Sequence, residues 1–322
     1  MLHFCTYFDR NYLAQGLTLY RSLMEHAGPF TLWVLCFDDP ARDVLSRLNL
    51  ANLRPVSLQE FEKGDEALQN AKRNRSRVEY YFTCTPSWLL YLLGRHPEIG
   101  RITYLDADLM FYSTPSPVFE ELGDRSILIV GHRFPEKLRH LEAAFGIYNV
   151  GLLTFGNDLR GKSCLQWWRD RCLEWCGDRP ENGRFADQKY LDDWPGRFDG
   201  VVVLQHKGAG LAPWNHMNYM VRIQNGEIAV DGNPLIFYHF QGVRIINRRF
   251  FDPGAYRYGP MPLALRRRLY SSYVRSLFDT VQWVHNRLPS TDLITPRLYT
   301  RDYRLRTFFL RLLQGQIMLV PK

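Results

Sequence analysis

Short apolar runs, most of them ending at an acid or a histidine, are the feature that most constrains this chain. They are HFCTYF (3–8), TLWVLCF (31–37), ITYLDAD (102–108), SILIVGH (126–132), YNVGLLTF (148–155), VVVLQH (201–206) and LIFYHF (235–240). Continuous apolar runs of this length suit strands covered on both faces. Between them lie segments of helical period, clearest at Asn11–Glu25 and in KSCLQWWRDRCLEWC (162–176). Strands alternating with helices predict an α/β chain with a mostly parallel sheet and helices on both faces. In such sheets ligands lie beyond the carboxyl ends of the strands. Asp9, Asp38, Asp39, Asp106, Asp108 and His239 all fall there. Elsewhere Val44–Leu50 suits a short helix, residues 52–58 a weak strand, and Gln59–Tyr81 a polar helix or loop. Thr85–Pro86 reads as a cap and first turn opening SWLLYLLGRH.

At 322 residues and 46% apolar, the chain is long enough for one large core, or one core plus an appendage. No stretch approaches the ~20 apolar residues of a spanning helix. The six cysteines are scattered, several within apolar runs, and no leader-like segment is visible, so a reduced, cytoplasmic setting is expected. Charge divides the chain. From Arg257 to Lys322 there are 12 Lys/Arg against three acids, a balance of +9 within a total of +8, which leaves −1 for the first 256 residues. The expected organisation is a catalytic body over 1–250 and a basic, aromatic, helical region over 251–322 for membrane or acceptor docking.

Two carboxylates just past a buried strand are costly unless positive charge meets them. For Asp106 and Asp108 the partner is a helix cap, an Arg or Lys, or a divalent cation, which alternate residues after a strand can share. "YHFQG" (238–242) adds an imidazole at a strand end, with Gly242 permitting close backbone approach. Asn149 and Gly151 open an apolar run, as a tight turn or as an amide beside a ligand. Asp187 and Gln188 in FADQKYLDDW either cap a helix or face a polyhydroxylated ligand. Trp214 and Asn215, in the glycine-rich HKGAGLAPWNHMNY (206–219), suit a loop that closes over a sugar. Trp167 and Trp168 read as packing.

In this order the motifs resemble the GT-A nucleotide-sugar glycosyltransferases, most closely the family 8-like branch of bacterial lipopolysaccharide glycosyltransferases and glycogenin, over about residues 1–250. The resemblance implies a Rossmann-like GT-A domain. FCTYFDRNY is similar to the family's opening strand, so Thr6 would lend backbone to the base, Asp9 would accept from uracil and Tyr12 would stack near it. YLDAD matches the metal motif, with Asp106 facing ribose and metal and Asp108 ligating the metal. HFQG resembles the HxxG motif and makes His239 the third ligand. Asn149, Gly151, Asp187, Trp214 and Asn215 would meet the donor sugar, and Asp187 and Gln188 the reaction centre. Where the family holds the diphosphate with a Lys, this chain has Ile245, so either Arg244 or Arg248 takes that role beside Gly242 or the role is absent. It also has Tyr81-Phe82-Thr83 where the family places an Arg, so Arg77, Arg75 or Lys72 would reach in from upstream.

The implied cation is Mn²⁺ or Mg²⁺ carrying the diphosphate of a UDP-sugar, with a glycan or lipid-linked acceptor and retention of anomeric configuration, in bacterial surface polysaccharide synthesis. A nucleotidyltransferase is the rival enzyme, although CTYFDRNY lacks the glycine- and lysine-rich loop it usually needs. The tail could instead make a nucleic-acid- or protein-binding module. Its RTFFLRLLQGQIMLV (306–320) reads better as an amphipathic helix, with Phe308, Leu312 and Ile317 on one face and Arg306 and Arg311 at its edge. That pattern predicts peripheral attachment to the anionic inner face of the plasma membrane, the alternative being a tail packed on the catalytic domain with its arginines solvated.

Overall fold

The computed structural model describes residues 1–224, 226–289 and 303–321. The chain opens with β1 (Leu2–Phe8), α1 (Leu13–His26), β2 (Phe30–Cys36), α2 (Asp39–Leu48) and β3 (Leu53–Ser57). Short helices α3 (Leu58–Glu62) and α4 (Glu66–Arg73) lead into the long α5 (Arg77–Arg95). Next come β4 (Arg101–Leu105), β5 (Leu109–Phe111), α6 (Ser116–Leu122), β6 (Ile127–Gly131), α7 (Leu141–Phe145), β7 (Tyr148–Gly156) and α8 (Leu159–Glu174). After α9 (Trp194–Arg197) follow β8 (Val201–Val203), β9 (Ala209–Leu211), β10 (Val221–Gln224), β11 (Glu227–Val230) and β12 (Asn233–Pro234). The chain goes on through β13 (Phe237–His239), β14 (Arg244–Ile245), β15 (Phe250–Asp252), α10 (Leu263–Arg266) and α11 (Ser272–Arg287). A helix Leu305–Leu313 and a short strand Met318–Leu319 end it.

Seven strands form the main sheet in the order β3-β2-β1-β4-β7-β6-β8. All run parallel except β7, which opposes both neighbours. Strand residues alternate between two apolar layers: Leu32, Val34 and Cys36 face the layer with α1, while Leu35 and Phe37 face the one with α5 and α8. Both faces are therefore dry, as the continuous apolar runs require. Trp88 and Trp168 are fully buried in the second layer, where truncation to Ala typically costs about 3–5 kcal/mol.

Several local expectations change. α5 does not open at Thr85–Pro86. It begins at Arg77, where Ser76 and Glu79 cap each other's backbone N–H at 3.3 and 2.8 Å. Pro86 then sits mid-helix, and the burial of Trp88, Leu89 and Leu92 offsets its lost hydrogen bond. α2 starts earlier than Val44 because the Asp38 side chain accepts from the Ala41 N–H at 3.0 Å, and Pro40 fits the first turn. Asp38 also pairs with Arg10 at 2.5 Å, so this strand-end acid is spent on structure.

Nor does packing break at residue 250 among the described residues. Leu265, Leu269, Tyr270, Tyr273, Val274 and Leu277 belong to the same core as α1, and Thr280 meets Thr18 at 3.0 Å. Arg267, Arg268, Arg275 and Arg287 lie exposed on this layer. The stretch 290–302 of the expected extension lies outside the described residues. In the final helix Arg311 does not edge an outward face. It turns inward to the buried carboxylate of Asp252, which also accepts from Tyr303 at 2.6 Å. Phe308 packs on Phe250, and Ile317 is buried. Leu305, Phe309 and Leu313 are turned furthest to solvent, at 75%, 58% and 86% exposure, and Leu310 and Leu312 are exposed beside them.

Candidate active site

Asp106-Ala107-Asp108 is the joint between two sheets. β4 belongs to the main sheet, while β5 pairs antiparallel with β13, placing His239 opposite Leu109. Backbone bonds pin both sides of the joint: Asp106 N–H donates to Gly151 O at 2.9 Å, and Phe240 N–H to Asp108 O at 3.0 Å. The His239 Nε2 then lies 3.1 Å from Asp108 Oδ1 and 3.6 Å from Asp106 Oδ2. Among the described residues these three form the one group of metal-capable side chains, with ligand atoms within 4.8 Å of one another. All six cysteines are buried and free.

Burial alone would lower the His239 pKa, but the carboxylates of Asp108 and Asp106 outweigh it and the imidazole is raised. Burial, with Asp108 beside it, raises Asp106, which also accepts from Tyr104 at 2.8 Å. Two hard oxygen donors plus one imidazole suit Mn²⁺ or Mg²⁺, so the donor set fits the expected ion.

Because β7 is reversed, its first residues reach the carboxyl edge of β4. The Asn149 amide donates to the Val130 and Gly131 carbonyls and accepts from Gly151 N–H at 3.0 Å. Gly151 serves a purpose besides lining the cavity. A Cβ there would lie 2.9 Å from His239 Nδ1 and 3.0 Å from Asn149 Oδ1. The glycine is the space the imidazole needs.

These residues line a cavity of about 670 Å³ together with Asp9, Tyr12, Arg77, Asp187, Gln188 and Trp214, within the size range of small-molecule sites. Asp9 is held by Arg77 at 2.5 Å and Tyr81 at 3.2 Å, and Tyr81 stacks on Phe37 at 3.8 Å. Of the three basic residues considered upstream, only Arg77 arrives. Arg75 ties α5 to the Cys172 and Leu173 carbonyls, and Lys72 pairs with Glu62 at 2.8 Å.

Asp187 follows Ala186, whose φ of 47° is an unusual left-handed turn for a residue with a side chain. Trp168 donates its indole N–H to the Asp187 carbonyl at 2.8 Å, and Thr85 donates to its carboxylate at 2.8 Å. Burial pushes the Asp187 carboxyl up to about 7. Gln188 gives its amide to Phe145 O at 2.7 Å. Trp214 meets the His239 ring edge-on at 5.2 Å.

Four expected residues stand apart. Thr6 is fully buried in β1, its hydroxyl unpartnered, and does not line the cavity. Asn215 is fully buried, bonded to Ala212 N–H and to the His132 and Gly210 carbonyls, and its amide holds the loop instead of a sugar. Gly242 and Arg244 lie outside the lining, although Arg244 is close enough to Tyr12 to act on its phenol electrostatically. The sequence reading missed His132. It lines the cavity with Nδ1 bonded to Gly146 O at 2.9 Å, stacks on Phe134 at 4.7 Å, and is pushed down to about 3 by burial. Its signal was a strand ending in histidine, the same pattern that singled out His239.

No known family signature matches the chain. The uncharacterized protein YfnF of Bacillus subtilis strain 168 is 36% identical over 251 residues, 76% of this chain and 82% of YfnF. YfnD of the same strain, also uncharacterized, is 30% identical over 289 residues, 89% of this chain and 92% of YfnD. The chain belongs to the YfnF–YfnD family. Among solved structures, the glycosyltransferase GlyE of Streptococcus pneumoniae TIGR4 is 16% identical with a TM-score of 0.50, over 94% of this chain and 66% of GlyE. The likeness gives this member of the YfnF–YfnD family the GT-A fold expected of its motifs.

Proposed function

We propose that the chain is a divalent-metal-dependent glycosyltransferase. It moves a sugar from a UDP-sugar to a glycan or glycolipid acceptor, with retention, in bacterial surface polysaccharide synthesis. The observation that carries this reading is the Asp106–Asp108–His239 group, which lines one cavity with Asp9, Asp187 and Gln188. A cation held by those three would act as a Lewis acid toward the leaving diphosphate, with no proton transfer. Asp9 exchanges Arg77 for a base N–H, and Tyr12 and Tyr81 supply ring surface beside it. Asn149 and Asp187 orient sugar hydroxyls. Gln188 is an amide, a poor nucleophile, and its role is to position the sugar and stabilise charge while the acceptor attacks from the leaving-group side. Arg244 is the candidate to meet the diphosphate. The test is to strip the protein with EDTA, restore Mn²⁺, and follow hydrolysis of a panel of UDP- and GDP-sugars. Turnover that ignores the chelator would sink the reading, and release of pyrophosphate from UTP and a sugar 1-phosphate, supplied in a parallel reaction, would favour a nucleotidyltransferase.

The exposed face of helix Leu305–Leu313 favours a second proposal, peripheral attachment to the anionic inner leaflet. Leu305, Phe309 and Leu313 project beside exposed Arg304 and Arg306, a pairing of apolar area with positive charge that suits an acidic bilayer surface. No helix among the described residues is long and apolar enough to cross a membrane. Flotation with anionic but not neutral liposomes, lost at high salt and in a Phe309→Ser/Leu313→Ser variant, is the expected result. Equal flotation by the variant refutes the helix as the contact.

A further inference from the structure

A second pocket, of about 420 Å³, lies where that helix ends, lined by Tyr256, Pro260, Met261, Arg266, Gln314 and Gln316 among others. Arg266 is its single charged lining residue. Among the described residues its Nε is buried without an acceptor, and no carboxylate pairs with it. Its neighbours differ. Arg268 donates to the Gly226 carbonyl. Arg311, 4.2 Å over the Tyr256 ring, is already answered by Asp252. A guanidinium with a desolvated, unpaired donor and no acid in its pocket is a standing cost unless an anion arrives. Its planar fork matches phosphate oxygens, and amides such as Gln314 and Gln316 can donate beside it.

The source of that anion follows from the chain. Gln314 directly follows Leu313, the most exposed apolar residue of the helix. An amphipathic helix on a bilayer lies with its apolar face at the headgroup–acyl boundary, which sets residues just past its end at phosphate depth. We propose that this pocket binds a phosphate group presented by a membrane lipid, with Arg266 as its anchoring cation. The site does not depend on the sugar-transfer reading.

The test is calorimetric titration of the full chain with dihexanoyl phosphatidic acid below its micelle concentration, with inorganic phosphate, and with phosphate-free dihexanoylglycerol. Wild type should bind the lipid phosphate, and R266Q should bind it about tenfold more weakly or worse. R266K should fall between them. Q314E, an exposed change that sets a carboxylate in the pocket with Arg266, should match R266Q. It keeps the test open if R266Q fails to fold. Inorganic phosphate binding as tightly as the lipid would overturn the membrane source. Equal lipid affinity in wild type, R266Q and Q314E would overturn the site, as would equal binding of dihexanoylglycerol.

Discussion

Asp187→Asn should make the metal-free protein more stable at alkaline pH. The Asp187 carboxylate is almost fully buried, and among the described residues its one side-chain donor is Thr85 at 2.8 Å. Tyr7 stands behind Thr85 at 3.1 Å, so a single relay of hydroxyls is what meets the charge. An asparagine keeps an oxygen for Thr85 and carries no charge. Burial, and secondarily the Asp106 carboxylate, raise the folded pKa from 3.8 to about 7. A carboxyl whose folded pKa lies above its unfolded value holds its proton more tightly when folded. Its contribution to stability is therefore present below the unfolded pKa and is lost as pH rises from about 4 to about 7.

The shift of about 3 units corresponds to an upper bound of about 4 kcal/mol at about 1.36 kcal/mol per unit. Urea unfolding in EDTA, followed by tryptophan fluorescence between about pH 5 and about pH 8.5, reads the difference between variant and wild type. The stability advantage of Asp187→Asn should grow by at most about 3 kcal/mol across that range, since about a third of the full effect falls below about pH 5, and level off above about pH 7. A difference that stays flat with pH would mean an ordinary carboxyl and refute the reasoning. The same variant should lose most donor-sugar turnover, since a destabilising charge kept at a site is commonly kept for function.

Other substitutions separate metal, base and backbone. Gly151→Ala puts a methyl 2.9 Å from His239 Nδ1, so Mn²⁺ affinity measured by calorimetry should fall about 10–100-fold with the far-UV spectrum unchanged. Asp108→Ala should abolish metal-dependent turnover without unfolding the chain, and normal activity in EDTA would remove the metal from the mechanism. Asp9→Ala should weaken UDP binding by about 1–3 kcal/mol, and an unchanged calorimetric affinity would take Asp9 out of the base site. Lowering pH should weaken Mn²⁺ binding, because the raised His239 imidazole must give up its proton to any cation.

Much of this site was legible because strand ends are legible. Asp106, Asp108 and His239 each follow a continuous apolar run, and the doubly covered sheet puts such positions at its carboxyl edge. The Ser76-x-x-Glu79 signal was legible too, but the stronger-looking Thr85–Pro86 pair obscured it, and tertiary burial carried the helix through the proline. Asn215 misled because composition marks a loop as glycine-rich without saying which of its polar side chains are consumed inside it. The left-handed backbone at Ala186 has no local signature at all. It is held by contacts from distant α5 and α8, through Thr85 and Trp168. Position along a strand is encoded locally. The spending of a side chain's hydrogen bonds is decided by residues far away in sequence.

The reversal of β7 shows how the two kinds of information meet. Its apolar run reads like any other buried strand, and nothing in eight residues tells its direction. Direction decides everything about Asn149 and Gly151. In a parallel β7 they would lie at the amino edge, far from any ligand. In the observed sheet Leu152 pairs with Leu105, and the residues before it reach the Asp106–Asp108 joint. The bond from Asp106 N–H to Gly151 O then ties the reversed strand to the carboxylates, while the missing side chain of Gly151 admits His239 from the second sheet. Three chain segments distant in sequence thus converge on one point. Their mutual fit depends on a glycine whose neighbours in sequence give no reason for it.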